Sequence, residues 1–356
     1  MKKIFSLNYI LPLTFFLLFG KLFFYLYLKT SSAKLFGGGN DSYYYHAYAE
    51  GYTDVAVNFW PVILRFFNDL GFYDREIVSY LLFFISIFLM PYLLYRIVKD
   101  NAFEIKPVKR LTLFLVLFYP TVFFYTLDIY RDVFMWFCFM LSIYFYRKVI
   151  EKSAFLKIFY FSIFLALSYF CFLLRPYLGA ALFLSAFTFY IFSATSHKVK
   201  TWIFLYFLLL VLVRLSGILN PILEYRGEDG FESGGATLGV GLLDANPVMF
   251  LVYYLYSFIA QVFGLFLTSF NAILVFFLES VPFIWAFSYV IKNAKYINKF
   301  CSFLLVFFVV YTTIWVLGND NLGTAVRLRV PSYLAIFACM FIIYQEKVKH
   351  NYSNQR

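Results

Sequence analysis

Charged residues are scarce in this sequence. Asp, Glu, Lys and Arg make up 14% of its 356 residues, whereas soluble domains contain about 25%. Hydrophobic residues account for 63% and aromatic residues for 25% of the chain. So little charge beside so much apolar surface excludes a soluble domain.

Cysteine is also rare. Cys138, Cys171, Cys301 and Cys339 all fall inside apolar segments, and no pair has the spacing of metal ligands. Neither a disulfide framework nor a cysteine metal site is therefore expected. Internal repeats and low-complexity linkers are missing as well. The sequence predicts a single integral membrane domain over residues 1–356.

Long hydrophobic runs dominate what is present. About 18 consecutive apolar residues are enough to cross a hydrocarbon core of ~30 Å. The alternation in strands of ~10 residues that marks a membrane β-barrel is missing. The sequence predicts an all-α polytopic membrane protein with about ten transmembrane helices, nine to eleven by the apolar segments. The candidate segments are 5–28, 77–98, 111–127, 133–146, 158–174, 177–195, 201–217, 249–270, 272–291, 300–317 and 330–344.

The first apolar segment has the basic start and apolar run of a signal peptide, "MKKIFSLNYILPLTFFLLFG". Its apolar run continues to Leu28, and no small-residue cleavage site closes it. The segment is therefore expected to be a retained first span.

Basic residues concentrate in alternate loops, and such loops are typically cytoplasmic. This pattern predicts a protein of the inner (cytoplasmic) membrane with both termini in the cytoplasm. It also predicts that residues 29–76 and 218–247 are extracytoplasmic. The pattern requires that 249–270 or 272–291 does not span fully, and 249–270 is expected to be re-entrant or interfacial. The net charge of +11 is thus a topology signal, and nucleic acid is not an expected partner.

The predicted outer segment 29–76 contains the most polar stretch near the start of the chain, "GGGNDSYYYHAYAEGY". Its aromatic residues indicate short interfacial helices, because Tyr and Trp favour the membrane–water boundary. Asp41 is a candidate acid–base group or a helix cap. His46 is an interface residue or a substrate contact. The loop 218–247, rich in glycine and acids, is either a lid over a site or a solvated connector.

Four arginines lie at the predicted outer ends of apolar segments, namely Arg131, Arg175, Arg327 and Arg329. The planar fork of arginine binds phosphate oxygens through two hydrogen bonds, and charges at a membrane boundary are costly and tend to be functional. The simpler alternatives are an Arg131–Asp132 pair at a helix start, a membrane anchor at Arg175, and an ion pair of Arg327 or Arg329 with Asp320. Glu279, alone in an apolar segment, is expected to need a partner such as Arg214.

Several weak motifs, in this order along the chain, resemble the GT-C superfamily of membrane glycosyltransferases. They are also similar to the Wzy-type polymerases that join repeat units of bacterial surface polysaccharides. The matching motifs are Asp41 in the first outer segment, Trp60-Pro61, Leu70-Gly71, "YPTVFFYTLDIYRD" with Arg131 and Asp132, Arg175-Pro176-Tyr177, Glu279-Ser280 with Pro282, and Arg327 and Arg329 with Pro331. The chain lacks the sizeable soluble C-terminal domain of larger members. It also lacks their acidic pair, unless Glu50 or Asp54 pairs with Asp41.

The resemblance implies transfer of a sugar from a polyprenyl phosphate or diphosphate in the outer leaflet. Asp41 would be the general base on the acceptor hydroxyl. Arg131, Arg175, Arg327 and Arg329 would hold the phosphate, and Asp132 would also belong to the substrate-binding residues. His46, Tyr44 and Tyr45 would contact the sugar.

No cofactor is expected, and the motifs give no support for a divalent metal. The expected partners are the polyprenyl-linked sugar or oligosaccharide, membrane lipid and proteins of polysaccharide assembly. Two further readings stay open: a GT-C transferase that adds one sugar from a polyprenyl phosphate, and a lipid-linked oligosaccharide flippase or other transporter.

Overall fold

The computed structural model describes residues 9–31, 40–99, 106–194, 199–227, 237–267 and 269–353. In these ranges the regular structure is helical, apart from a single antiparallel bridge between Thr237 and Asn321. The predicted all-α class is confirmed for this part of the chain. The first seven helices are α1 (Ile10–Thr30), α2 (Asn40–Ala49), α3 (Phe59–Asp69), α4 (Arg75–Val98), α5 (Lys106–Phe118), α6 (Pro120–Phe124) and α7 (Arg131–Glu151).

The remaining helices continue the same apolar pattern. They are α8 (Ala154–Leu174), α9 (Pro176–Ala194), α10 (Val199–Leu215), α11 (Asn220–Gly227), α12 (Pro247–Phe263), α13 (Phe270–Lys292), α14 (Lys299–Leu317) and α15 (Leu322–Ser353).

Seven helices in the described ranges are long and apolar enough to cross a membrane, namely α1, α4, α7, α8, α13, α14 and α15. Three further apolar helices are shorter, at Pro176–Ile191, Ile203–Leu215 and Pro247–Phe263. The protein is therefore a multi-pass membrane protein. The expected count of about ten spans is not confirmed by length and composition alone.

The chain forms two compact units. The first unit contains Met1–Ala180, Asn293–Phe300 and Ala338–Arg356. The second unit contains Ala181–Lys292 and Cys301–Phe337. The single membrane domain predicted over 1–356 stays a prediction.

In the first unit, α7 and α8 form an extensive helix pair, closed by the rings of Tyr146 and Phe164 with centroids 4.8 Å apart. The short helices predicted in residues 29–76 are present as α2 and α3, and these two helices pack on each other. Trp60 in α3 donates its indole N–H to the carbonyl of Ile129 at 2.8 Å. This bond ties α3 to the turn that precedes α7.

In the second unit, aromatic and hydroxyl side chains hold apolar helices together. The rings of Phe283 in α13 and Tyr333 in α15 stack with centroids 3.9 Å apart. The hydroxyl groups of Tyr206, Tyr254 and Thr313 join α10, α12 and α14 through contacts of 2.6, 2.7 and 3.1 Å. Each buried hydroxyl thereby has a hydrogen-bond partner, as an apolar surrounding requires.

Proline interrupts one predicted span. The segment 111–127 is not a continuous helix, because α5 ends at Phe118 and Pro120 begins the separate short helix α6. Proline has no N–H to donate and disfavours helical geometry in the residue before it. Two other spans contain a π-helical turn each, Ile85–Leu89 in α4 and Phe276–Ser280 in α13.

Candidate functional site

Asp41 lies in the first turn of α2, one residue inside the helix, and its side chain is half-buried. A carboxylate in this position is favoured by the positive end of the helix dipole. Tyr45 follows four residues later, so the two side chains share one face of α2. The short helix expected at Asp41 is present, but it begins at Asn40, so Asp41 lies inside the first turn and is not the N-cap.

Arg131 and Asp132 begin α7, and Arg175 occupies the break between α8 and α9. Arg175 is extended (φ −154°, ψ 107°), which the following Pro176 favours. Arg175 Nη1 lies 3.6 Å from Asp132 Oδ1, and the two residues are only 6% and 1% exposed. Arg131 Nη1 donates to the carbonyl of Leu174 at 3.0 Å. Asp132 therefore pairs across two helices with Arg175, as well as being the neighbour of Arg131.

Tyr45 connects the two groups. Burial raises the pKa of its hydroxyl, the positive charge of Arg131 lowers it, and the negative charges of Asp41 and Asp132 raise it further. The hydroxyl also accepts a long hydrogen bond from Asn58 Nδ2 at 3.5 Å. The charges of Asp41, Arg131 and Asp132 thus act on one hydroxyl, that of Tyr45, and Asp132 also pairs with Arg175; we call these five residues the Tyr45 cluster.

The other two predicted residues of α2 have different surroundings. His46 Nδ1 lies 2.9 Å from the hydroxyl of Tyr73, the residue before the N-cap of α4. Burial raises the pKa of that hydroxyl. The ring of Tyr44 meets the ring of Tyr45 edge-on at 6.3 Å. Its buried hydroxyl has no hydrogen-bond partner among the described residues. Tyr44 borders the Tyr45 cluster, whereas His46 binds the segment that leads into α4.

A second ion pair in the first unit was not expected from the sequence. Arg75 holds Asp128 through two hydrogen bonds, Nε–Oδ1 at 2.8 Å and Nη2–Oδ2 at 2.5 Å. The guanidinium also lies over the ring of Tyr43 at 4.8 Å. Burial raises the pKa of Asp128, but the hydrogen bonds from Arg75 and the N–H of Ile129 outweigh it and leave the pKa below its usual value. The two residues are 53 positions apart, and the sequence carries no signal for their pairing.

Arg329, in the second unit, pairs with Glu279. Arg329 Nη2 lies 3.4 Å from Glu279 Oε2, and the residues are 1% and 0% exposed. The expected partner of Glu279, Arg214, instead donates to the amide oxygen of Asn220 at 3.3 Å and to the carbonyl of Leu243. The expectation was wrong because α15 directs Arg329 towards the π-helical turn of α13. Arg327 is half-buried.

Asp320 has a different partner from the expected Arg327 or Arg329. Its Oδ1 accepts from Arg226 Nη2 at 2.5 Å, and its Oδ2 accepts from the N–H of Gly239 at 2.9 Å. Arg226 also donates to the carbonyl of Val316 at 2.6 Å. Burial lowers the pKa of Arg226, while the charge of Asp320 raises it. The predicted lid 218–247 includes residues 228–236, which lie outside the described ranges.

Arg327 and Arg329 belong to the second unit, and the Tyr45 cluster belongs to the first. Their predicted role as phosphate ligands stays a prediction. Among the described residues, no three His, Cys, Asp or Glu side chains lie close enough to hold a metal ion.

Comparison with protein-family models, with curated proteins and with solved structures finds no match for this chain. The fold therefore defines the class, a multi-pass α-helical membrane protein with buried arginine–carboxylate pairs. Any narrower assignment must come from the chemistry of the Tyr45 cluster.

Proposed function

We propose that this protein is a membrane glycosyltransferase that uses a polyprenyl-linked sugar at the outer face of the cytoplasmic membrane. In this proposal it joins repeat units of a surface polysaccharide, such as O-antigen or capsule. Both termini lie in the cytoplasm. In this proposal about ten crossings are supplied by the seven long apolar helices, by α9 and α10, and by the segment of α5 and α6, while α12 is re-entrant or interfacial.

The observation that supports this function best is the composition of the Tyr45 cluster. The hydroxyl of Tyr45 feels the charges of Asp41, on the same short helix, and of Arg131 and Asp132, at the start of α7, and Asp132 pairs with Arg175 at the end of α8. Sugar transfer from a lipid phosphate needs both kinds of group, a base for the acceptor and cations for the leaving phosphate. The cluster is bordered by aromatic rings, which suit the faces of sugars.

In the chemical step the carboxylate and the arginines have separate roles. The carboxylate of Asp41 accepts the proton of the acceptor hydroxyl, whose oxygen forms a bond to the anomeric carbon of the donor sugar. The bond from that carbon to the phosphate oxygen breaks, and the phosphate leaves with the electron pair. A general base contributes roughly 10²–10⁴-fold to such a step.

Arg131 is the better placed of the two arginines to meet the leaving phosphate. Its side chain is half-buried and is bound to a neutral carbonyl, that of Leu174. Arg175 is nearly buried and is held by Asp132. In the proposed reaction Arg131 contacts the phosphate. Arg175 adds positive charge without contacting the phosphate, and Asp132 keeps the guanidinium of Arg175 oriented.

The test is complementation of a strain that lacks the gene, with the length of its surface polysaccharide as the readout. Asp41→Asn should abolish long chains at an unchanged protein level, because the amide cannot accept the proton. Asp54→Asn is the matched control in the same outer segment, since the exposed Asp54 pairs with Arg65 at the surface, and it should be silent. Normal chains in Asp41→Asn would remove Asp41 from the reaction.

A second assay separates polymerase from single-sugar transferase. The membranes are given a lipid-linked repeat unit or a polyprenyl phosphate sugar, and the products are sized. Ladders of repeat units identify a polymerase, and addition of one sugar identifies the alternative transferase.

A transporter or flippase is the second candidate function. The observation that favours it is the Glu279–Arg329 pair, fully buried within apolar helices beside a π-helical turn. Charges inside a membrane frequently mark a transport path, and π-helical turns frequently occur at functional sites. A flippase would move a fluorescent lipid-linked sugar across proteoliposomes without forming a new glycosidic bond.

A further inference from the structure

A cavity of about 210 Å³ lies in the second unit, at the turn that joins α10 to α11. The turn is made by Gly217, whose φ of +76° places it in the left-handed region that favours glycine. The start of α12 closes the other side. The lining residues are Arg214, Leu215, Gly217, Asn220, Ala245 and Pro247.

Arg214 supplies the charge of this cavity. Its hydrogen-bond acceptors are neutral, the side-chain oxygen of Asn220 and the backbone carbonyl of Leu243. Its buried Nε has no hydrogen-bond partner among the described residues. Asp244 follows Leu243 in the chain and is exposed, but Arg214 makes no ion pair with it or with any other described carboxylate. The positive charge of the cavity is therefore not neutralised within the described chain.

Other buried arginines of the protein contrast with Arg214. Arg175, Arg226 and Arg329 each lie against a carboxylate. None of the three lines the cavity. An arginine at the wall of a cavity whose hydrogen-bond acceptors are neutral is suited to bind an anion from outside the chain.

The surroundings of the cavity are apolar and exposed. Leu212, Leu215, Ile218 and Val248 are large hydrophobic side chains with more than half of their surface accessible. In a multi-pass membrane protein such side chains face lipid. The cavity thus combines a cation with a lipid-facing rim, and the first turn of the 17-residue helix α12 adds the partial positive charge of a helix N-terminus.

We propose that this cavity binds a phosphate group through Arg214, with Asn220 as the neutral side chain that positions the guanidinium. The phosphate is either the headgroup of a lipid, with its chains along the apolar rim, or a free phosphate ion. The site is contained in the second unit and does not depend on the proposed sugar transfer.

The experiment is native mass spectrometry of the purified protein released from a neutral detergent. Three probes are compared: dioctanoyl phosphatidic acid, dioctanoylglycerol with the same chains but no phosphate, and inorganic phosphate. The wild-type protein should retain the phosphatidic acid and not the diacylglycerol. Arg214→Gln should lower the bound fraction about tenfold, since a charge-assisted hydrogen bond is lost. Arg214→Lys should have an intermediate effect, because lysine keeps the charge but not the fork.

Arg65→Gln is the matched control, because Arg65 is in the first unit and pairs with the exposed Asp54. It should bind phosphatidic acid like the wild type. Retention of inorganic phosphate at the same concentration identifies the free ion as the ligand, and its failure to bind identifies the lipid headgroup. Equal retention of diacylglycerol, no phosphate adduct in the wild type, or undiminished binding in Arg214→Gln would each overturn the site. If Arg214→Gln does not fold, Arg214→Lys is measured in its place. Binding of phosphatidic acid by Arg214→Lys as strong as in the wild type would then overturn the site.

Discussion

Single arginines determine much of the local chemistry of this chain, and their partners divide them into two groups. One group is neutralised by a carboxylate, and the other is held by neutral oxygens. A buried arginine of the first group cannot lose its partner cheaply, because the remaining charge is left in an apolar surrounding. An arginine of the second group stays available to an external anion. The first group includes Arg75, Arg175, Arg226 and Arg329, and the second includes Arg131 and Arg214.

The Asp132–Arg175 pair allows a stability prediction at the residue scale. Asp132→Asn removes the carboxylate and leaves Arg175 charged and nearly buried, so we expect a loss of about 3–5 kcal/mol in the free energy of unfolding. The measurement is the melting temperature in detergent, supported by unfolding in denaturant. Asp54→Asn is the control, since the Asp54 side chain is 91% exposed and pairs of this kind contribute about 0–1 kcal/mol.

Combining Asp132→Asn with Arg175→Gln should recover part of the lost stability, because no unpaired charge remains. The description of the pair would be contradicted if Asp132→Asn were as stable as Asp54→Asn. It would also be contradicted if the double variant were less stable than the two single changes predict in sum.

At the scale of helices, hydropathy predicted the elements better than their pairings. The predicted span 133–146 lies within Arg131–Glu151, and 158–174 within Ala154–Leu174, because membrane thickness sets the length of an apolar helix. The start of α2 near Asp41 followed from its polar composition. The partners of Glu279 and Asp320 could not be predicted, since the rotation of a helix about its own axis depends on packing and not on hydropathy.

The Arg329–Glu279 pair is closely packed against the end of α12. Gly264 has a φ of +66°, and a Cβ added there would lie 2.4 Å from both Arg329 Nη1 and Ser280 Oγ. Only a glycine leaves room at this position for the guanidinium that binds Glu279. A side chain at residue 264 would therefore collide both with this guanidinium and with Ser280 of the π-helical turn.

Gly264→Ala should consequently be severely destabilising, because alanine adds both backbone strain and a clash that displaces Arg329 from Glu279. Gly71→Ala is the matched control, since Gly71 has a similar φ of +75° and no atom within 4 Å of an added Cβ. It should cost only the strain of the left-handed conformation, about 1–2 kcal/mol. The melting temperatures of the two variants test this directly. Equal losses would show that the close contact at Gly264 has no energetic consequence.

For the whole molecule, the direction of the chain through the membrane decides whether the Tyr45 cluster can meet a substrate of the outer leaflet. The basic loops predict that residues 29–76 are outside and that the loop between α7 and α8 is inside. This direction requires three crossings between them, by α4, by the segment of α5 and α6, and by α7, and α4 and α7 are each long enough to cross. Orientation is a property of flanking charge and insertion, which helix packing does not reveal. It therefore needs a chemical measurement on intact cells.

Cysteine labelling can make that measurement in the natural background, because all four native cysteines are buried. Tyr52, 80% exposed in the outer segment, and Ser153, exposed between α7 and α8, are suitable sites for new cysteines. A membrane-impermeant maleimide should label Tyr52→Cys in intact cells, and Ser153→Cys only after the membrane is permeabilised. The wild-type protein, treated in the same way, reports the background from the native cysteines. Labelling of Ser153→Cys in intact cells together with protection of Tyr52→Cys would place the Tyr45 cluster on the cytoplasmic side, where an outer-leaflet sugar donor cannot reach it.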